Sequence, residues 1–432
     1  MTATAWILPA SFLALLVLRV PIAFAIGGAT LLTLLASMPF TPAVQTIAQR
    51  LASGIDSFAL LAIPFFILSG LLMSRGGIAR RLIEASKVLV GTLPGGLAFV
   101  NVLSCMLFGS IAGSAVAATS AVGGFMAPAM EKLGYRREFT TALTVSASVT
   151  GLLIPPSNIL IVYAVASGGL SIAALFVAGY LPGILLGLAL MAVCALWAKR
   201  WNLPAGERIP LREALVKLAD AVPSLMIIVL VMGGILGGIV TPTEAGVLAV
   251  LYALFLAVGV YREIRWRELP DILARSVETT AVVMLLIGTS MAMSWVLAYE
   301  NVPQTISEAL LGISDNRYVL LLIINVALLV VGAFIDMTPA VLIFTPIFLP
   351  VAVELGMTPL HFGIMLVTNL CIGLCTPPVG SVLFVGCAVT EVPLARALRP
   401  LIPMYAAMFI VLLLVTYVPG ISTWLPALFG LI

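Results

Sequence analysis

The sequence predicts an all-α polytopic membrane protein with an inverted-topology repeat, which contains two re-entrant helical hairpins and two broken helices. Three observations lead to this fold class. First, 62% of the 432 residues are hydrophobic and only 9% are charged, a composition too apolar for a water-soluble surface. Second, a shift of 222 residues places Pro155 and Pro156 on Pro377 and Pro378. Third, basic residues are confined to short segments beside the apolar runs, and this charge asymmetry orients the spans.

The first apolar run, Ala5 to Leu18, has the length of a signal-peptide core. It lacks a basic leading segment, and the next apolar run, Ile22 to Met38, follows at once. We therefore expect a retained helix, and a single membrane domain over residues 1–432 that is surrounded by the lipid bilayer.

Enzymatic and nucleic-acid functions find little support in the composition. The five cysteines lie in apolar segments without a CxxC pair, and His361 is the only histidine, so a catalytic triad or a metal cluster lacks residues. Each basic segment borders a hydrophobic span and is explained by membrane topology. We expect no enzyme, no organic cofactor and no nucleic-acid partner. The cysteines should pack in the interior, and His361 should lie at a helix end beside Thr358.

Charge is segregated along the chain. Most lysines and arginines fall in four segments: Arg75–Lys87, Lys132–Arg137, Lys199–Lys217 and Arg262–Arg275. By the positive-inside rule these segments face the cytoplasm. The segment from Glu300 to Arg317 is mainly acidic and is expected outside, as are both termini.

The first hairpin is predicted from the spacing of the basic segments. Three helices should bring the chain from outside to the first basic segment, at about residues 5–18, 21–38 and 57–74. The stretch from Leu97 to Met130 must then leave the cytoplasm and return, and it is too short for two crossings of about 20 residues with a turn. Its middle, Gly109 to Ser114, forms helices poorly. Two half-helices that meet in a re-entrant hairpin fit this stretch.

The second hairpin enters from the opposite side. It lies between Arg317 and Glu354, its middle falls at Gly332 to Pro339, and its flanks are acidic. A motif with basic flanks once and acidic flanks once indicates an inverted repeat about an axis in the membrane plane. A parallel duplication would place both sets of flanks on one side.

A helix broken at mid-depth follows each hairpin. The interruptions are Ile154–Asn158 and Thr376–Gly380, and the helices resume to about Ser167 and Val389. Two successive prolines cannot continue a helical hydrogen-bond ladder, whereas a helix that is merely kinked usually needs one. Freed backbone groups at this depth are tolerated only beside protein or a hydrated cavity. Paired breaks of this kind indicate the substrate and ion sites of a transporter.

Residues 97–168 and 318–390 therefore form two repeat cores. The remainder is assigned mainly to scaffold helices and arms, at residues 1–74, 171–299 and 400–432. Within it we expect a long span, an amphipathic cytoplasmic arm and a pair of spans, at about residues 171–197, 199–217 and 221–261.

The pair of spans is joined at Thr241–Glu244, which contains an intramembrane acid. An acid at this depth suggests a functional role. A capping box, with Thr241 as N-cap and Pro242 at the first helical position, explains Glu244 more simply and is favoured.

Four strings resemble a known family. They are RVPIAFAIG at residues 19–27, AIPFFILSGLLM at 62–73, IPPS at 154–157 and VTPTEAG at 240–246. In this order and spacing they resemble the large membrane subunit (M subunit, DctM type) of tripartite ATP-independent periplasmic (TRAP) transporters, over roughly residues 15–420.

The resemblance implies a secondary active transporter in the bacterial inner membrane that imports a small organic acid (a dicarboxylate, sugar acid or similar carboxylate), driven by sodium ions. Substrate would come from a periplasmic binding protein (P type). A small four-helix membrane subunit (Q type) would be a separate chain, because no corresponding extension precedes this one. The resemblance also implies an elevator motion of hairpins and broken helices against the remaining helices. The alternative is a stand-alone proton- or sodium-coupled anion carrier that needs no binding protein.

Site residues are predicted from the backbone breaks. Half-helix N-termini after Ser114, Pro156, Thr338 and Pro378 suit a carboxylate, and unwound carbonyls with hydroxyls suit sodium. The substrate set is Ser114, Ser157, Asn158, Thr338 and Thr376. One sodium set is Ser110, Gly113, Ser114, Ser157 and Asn158, and the other is Gly332, Asp336, Thr338, Thr376 and Gly380. Asp336 corresponds to Ser114 under the 222-residue shift, two residues before an expected N-cap at Thr338.

Overall fold

The structure, a computed structural model, describes residues 6–201, 205–206 and 209–432. Over these residues it is helical and forms no β-strand, with a lone β-bridge between Pro94 and Ala205. The helices are α1 (Ile7–Val17), α2 (Ile22–Ser37), α3 (Phe40–Ile55), α4 (Ala62–Arg75), α5 (Ile78–Val90), α6 (Gly96–Ala112), α7 (Ala115–Lys132), α8 (Arg137–Ser148), α9 (Asn158–Ala166), α10 (Ile172–Trp201), α11 (Leu211–Leu236), α12 (Pro242–Leu254), α13 (Leu269–Tyr299), α14 (Val302–Leu311), α15 (Arg317–Phe334), α16 (Met337–Glu354), α17 (Pro359–Leu374), α18 (Ser381–Thr390), α19 (Leu394–Tyr417) and α20 (Gly420–Leu428). Eight of the described helical segments are long and apolar enough to span a membrane.

The inverted repeat is confirmed, and it extends beyond the two cores. The 222-residue shift places α7 on α16 end to end, and it places α6, α8 and α9 on α15, α17 and α18 within a few residues. It also relates α5 to α14 and α10 to α19. The same shift places α2 on α12 and α4 on part of α13. Packing follows this symmetry, because α2 packs on α13 and α12 packs on α4.

The first hairpin turns where the sequence predicts. Helix α6 ends at Ala112, and Gly113 takes a left-handed conformation with φ of 61°, which glycine adopts at little cost. Ser114 is the N-cap of α7, and its hydroxyl accepts a hydrogen bond from Ala117 N at 3.2 Å. A capped turn of this kind satisfies backbone groups that lie away from bulk water.

The second hairpin turns two residues earlier than predicted. Helix α15 ends at Phe334 and α16 begins at Met337, so Asp336 rather than Thr338 occupies the N-cap position. The expected N-cap at Thr338 was therefore wrong. Pro339 falls within the first turn, where its missing N–H has no intrahelical partner to lose. The Asp336 side chain makes no capping hydrogen bond.

Both broken helices are present. Helix α8 continues as a 3₁₀ turn, Val149–Leu152, before the break. The chain resumes as α9 after Ser157, and in the second copy α17 resumes as α18 after Gly380. The Pro155–Pro156 and Pro377–Pro378 peptide bonds are both cis.

Two elements of the scaffold go beyond the detail of the prediction. The segment predicted as an amphipathic arm, residues 199–217, contributes to two helices: Lys199 and Arg200 end α10, and Arg212 and Lys217 belong to α11. Arg208 lies outside the described residues. Helix α3 was not predicted, because it contains no long apolar run. It packs against α2 and α13.

Helix α5 is strongly amphipathic. Its apolar face packs on α6, and its polar face is joined to α11 by ion pairs. Glu84 lies 3.1 Å from Lys217 Nζ, and Arg81 Nε lies 3.3 Å from Asp220. The Arg81 guanidinium also stacks 3.5 Å over the Tyr261 ring. These contacts join α5 to the scaffold at α11 and Tyr261.

The capping box at the start of α12 is confirmed. The Thr241 hydroxyl accepts from Glu244 N at 3.3 Å, and the Glu244 carboxylate accepts from Thr241 N at 2.7 Å. The first turn of α12 therefore explains Glu244 without a transport role.

The two repeats interlock through buried polar contacts. The Tyr163 hydroxyl donates to Pro359 O at 2.5 Å, and Thr141 and Thr390 share a hydrogen bond of 2.7 Å. His361 lies in the first turn of α17 as predicted, and its N–H donates to the Thr358 hydroxyl. Its ring Nε2 lies 2.6 Å from Val415 O. All five cysteines are free and buried.

The orientation of the chain can be tested with single cysteines. We expect cysteines placed at Arg80, Arg136 and Arg265 to resist a membrane-impermeant thiol reagent in intact cells, because these positions lie in basic segments that are predicted to face the cytoplasm. A cysteine at Ser314, in the acidic segment, should label readily. The native cysteines are buried and provide a low background. Rapid labelling at Arg136 would reverse the topology.

Candidate functional site

A cavity of about 950 Å³ lies between the repeat cores and the scaffold. One wall consists of the two hairpin tips and the first turns of α9 and α18. The opposite wall consists of α4, α13 and the start of α2. The cavity therefore lies at the point where all four predicted backbone breaks converge.

Four half-helices begin at this cavity. The first turns of α7, α9, α16 and α18 line it through Ala115, Asn158, Met337 and Ser381. The first N–H groups of a helix lack intrahelical partners, and the helix dipole places partial positive charge there. Four such termini at one cavity favour an anion such as a carboxylate.

The tip of the first hairpin rests on the resumed helix α9. A Cβ atom at Gly113 would lie 3.0 Å from Asn158 Nδ2, so the glycine allows the amide to approach the turn. Gly113, Ser114 and Asn158 all line the cavity. These groups are polar and uncharged.

The tip of the second hairpin carries a charge. Asp336 is exposed to the cavity, and its Oδ1 accepts a hydrogen bond from the Ser381 hydroxyl at 3.1 Å. Val379 N donates to Ala333 O at 3.0 Å and ties the break to the hairpin. The two hairpin tips are thus alike in backbone, but the first presents uncharged polar groups and the second presents a carboxylate.

Ser381 was not predicted as a site residue. It directly follows Gly380, at the start of the resumed helix α18. A hydroxyl residue beside a predicted break is a signal by which sequence analysis could have found this site residue. Its link to Asp336 needed the fold, because the two residues are 45 positions apart.

The predicted site residues fall into two groups. Gly113, Ser114, Asn158, Asp336 and Thr338 line the cavity together. The second group lies behind this lining: Ser110, Ser157, Gly332, Thr376 and Gly380.

The hydroxyls of the second group bond to their own segments. Ser110 donates to Leu107 O at 2.9 Å, Ser157 to Leu152 O at 2.5 Å and Thr376 to Ile372 O at 2.7 Å. Each hydroxyl oxygen keeps acceptor capacity for a cation. Their place in a sodium site remains a prediction.

The scaffold wall is dominated by α13. Its cavity-lining residues include Arg275, Glu278, Thr279, Val282 and Leu286. The polar residues lie toward the start of α13, which overlaps the basic segment Arg262–Arg275 and is cytoplasmic in the predicted topology. The sequence predicted no site residue on this helix.

Comparisons with known proteins agree along most of the chain. The family model described as "Tripartite ATP-independent periplasmic transporter, DctM component" matches residues 10–421. The uncharacterized protein YgiK of Salmonella typhimurium is 53% identical over 97% of this chain and 96% of its own length. The C4-dicarboxylate TRAP transporter large permease protein DctM of Pseudomonas aeruginosa is 42% identical over 91% and 92%.

A solved structure shares the fold. The crystal structure of the Alcanivorax borkumensis YdaH transporter, described as having an unusual topology, aligns with a TM-score of 0.62 over 88% of this chain and 89% of that chain. At 14% sequence identity, this likeness concerns the fold alone.

Proposed function

Because the chain belongs to the DctM family of tripartite ATP-independent periplasmic transporters, we propose that it is the large subunit of a sodium-driven importer of small organic acids. In this role it is a transporter subunit and not an enzyme. It lies in the inner membrane of a bacterium with both termini on the periplasmic side.

One observation carries the proposal. Four half-helix N-termini and a single hairpin-tip carboxylate, Asp336, meet at one cavity. The termini offer N–H donors and partial positive charge to a substrate carboxylate. Asp336, with nearby hydroxyls and carbonyls, offers the hard oxygen ligands that suit sodium.

The charge of Asp336 supplies a physical reason for coupling. Without a bound sodium ion, the carboxylate of Asp336 repels a substrate carboxylate in the same cavity. A bound sodium ion cancels that repulsion. Sodium therefore raises substrate affinity, and by linkage substrate raises sodium affinity by the same factor. The uncharged tip at Gly113 and Ser114 gives a second, weaker cation site.

In this proposal the movement takes place between the two walls of the cavity. The hairpins and broken helices carry substrate and sodium past α4 and α13, as an elevator against a fixed scaffold. Helix α5 stays with the scaffold through Arg81 and Glu84.

The proposal includes two protein partners. A small four-helix membrane subunit of Q type binds the scaffold, and a periplasmic binding protein of P type delivers substrate. Large hydrophobic side chains are exposed on scaffold helices, among them Val229 on α11 and Val277 on α13, which leaves apolar surface for a membrane subunit. Family membership is the main support for both partners.

Reconstitution tests this function. We expect substrate uptake into proteoliposomes only when this chain, the small subunit, the loaded binding protein and an inward sodium gradient are all present. Omission of any one should reduce uptake to background. Full uptake by this chain alone would favour the stand-alone carrier, and full uptake driven by protons without sodium would contradict sodium coupling.

A further inference from the structure

Helix α13 presents one continuous stripe to the cavity. The lining positions are 275, 278, 279, 282, 283, 285 and 286, and steps of three and four residues place them on one face of a helix. The deeper part of the stripe is apolar, with Val282, Val283 and Leu286. The part nearer the start of the helix is polar, with Arg275, Glu278 and Thr279.

Arg275 belongs to a cluster with a net positive charge. Asp271 lies 2.8 Å from Arg75 Nη1 and 3.3 Å from Arg275 Nε. One carboxylate shared between two guanidiniums leaves a charge of +1, because arginine does not lose its proton in proteins. Arg275 is well exposed, and its contact with Asp271 uses Nε. The outer amino groups keep donors for a second carboxylate.

Glu278 and Thr279 lie one turn further along the same face. The Thr279 hydroxyl donates to Arg275 O at 2.9 Å, so its oxygen is available as an acceptor. Glu278 is exposed, and within the described part of the chain it forms no ion pair at 4.0 Å or less. Beside the guanidinium, the cavity wall therefore offers hydrogen-bond acceptors, one of them charged.

We propose that Arg275, Glu278 and Thr279 form a substrate-contact site that selects a hydroxylated monocarboxylate, such as a sugar acid, over a dicarboxylate. Arg275 binds the carboxylate, while Glu278 and Thr279 accept hydrogen bonds from hydroxyls. The site rests on the proposed import of organic acids and specifies which acids fit.

Discrimination comes mainly from repulsion. A second carboxylate next to Glu278 meets a like charge, whereas a hydroxyl donates to it, and specific sites commonly use such a repulsive element. Asp336 does not repel a second carboxylate in this way once a sodium ion is bound to it. Glu278 lies on α13, a helix that carries none of the predicted sodium residues. Arg275, Glu278 and Thr279 are exposed, so solvent and salt screen the repulsion and the preference should be moderate.

Binding measurements test this assignment. The chain with its small membrane subunit, in lipid nanodiscs and sodium buffer, is titrated with gluconate and with succinate by calorimetry. We expect gluconate to bind about tenfold more tightly than succinate. Glu278→Gln should bring the two affinities within about twofold of each other, mainly by improving succinate binding. Arg275→Gln should weaken both acids about tenfold.

Two nearby variants serve as matched controls. Arg267 and Glu268 are exposed and precede the cavity-lining stripe, so Arg267→Gln and Glu268→Gln should leave both affinities unchanged. The same preparations are assayed for sodium-dependent uptake with the loaded binding protein.

The outcomes separate the two proposals. Sodium-dependent uptake together with an unchanged gluconate-to-succinate ratio in Glu278→Gln would overturn the selectivity site and leave the importer intact. A wild-type preference for succinate would do the same. Failure of both binding and sodium-dependent uptake would overturn the importer and the selectivity site together.

Discussion

Gly373→Ala is expected to abolish transport, because a methyl group at this position cannot fit between α17 and the second hairpin. A Cβ atom there would lie 2.6 Å from Gly332 C and 2.7 Å from Gly332 Cα. These are backbone atoms, so no side chain can rotate away. Overpacking of this kind typically costs about 1–3 kcal/mol and occasionally more. Thermal unfolding in detergent and uptake in proteoliposomes measure the loss.

The first repeat offers an independent copy of the same test. A Cβ atom at Gly151 would lie 2.4 Å from Gly109 C and Cα, so Gly151→Ala should be at least as damaging. A Cβ atom at Gly124 in α7 would have no heavy atom of a neighbouring group within 4 Å. Gly124→Ala should therefore be tolerated, with a gain in helix propensity of up to about 1 kcal/mol. Equal stability of the Gly373 and Gly124 variants would refute the close backbone packing.

Asp336→Asn is expected to raise the sodium concentration for half-maximal uptake by about tenfold or more, because a neutral amide binds a hard cation more weakly than a carboxylate. Asparagine keeps the side-chain oxygen that accepts from Ser381. The substitution therefore removes the charge and preserves the hydrogen bond. Capture of substrate by the isolated binding protein should be unchanged.

Two further variants serve as controls for Asp336→Asn. Asp315→Asn removes the same charge from an exposed position far from the cavity lining and should leave sodium dependence as in the wild type. Ser381→Ala removes the hydrogen bond and keeps the charge, so its effect should be smaller than that of Asp336→Asn. Wild-type sodium dependence in a well-expressed Asp336→Asn protein would show that Asp336 has only a structural role at the hairpin tip.

The repeat and its breaks were predictable because the responsible signals are local. Pro155, Pro156, Pro377 and Pro378 interrupt their helices wherever those helices lie. Basic and acidic flanks likewise fix the entry side of each hairpin by their own interaction with the membrane. Helix α3 was missed because an amphipathic helix lacks the long apolar run that marks a span.

The start of α16 at the second hairpin tip was harder to predict from the sequence. Thr338 before Pro339 has the pattern of an N-cap, yet the helix starts at Met337. The first turn of a helix tolerates several residue types, since its N–H groups have no intrahelical partners. Sequence pattern alone therefore locates such a start only to within about two residues.

By itself, the sequence determined the membrane class, the inverted repeat, the four breaks and Asp336 as the hairpin-tip carboxylate. Only the tertiary structure decided that Asn158 reaches the cavity while Ser110, Ser157 and Thr376 bond to the backbone of their own segments. It also paired Asp336 with Ser381 and brought α13 to face both tips. The physical reason is that proline, glycine and charge act on the backbone where they stand, whereas the partners of a side chain depend on how distant helices pack.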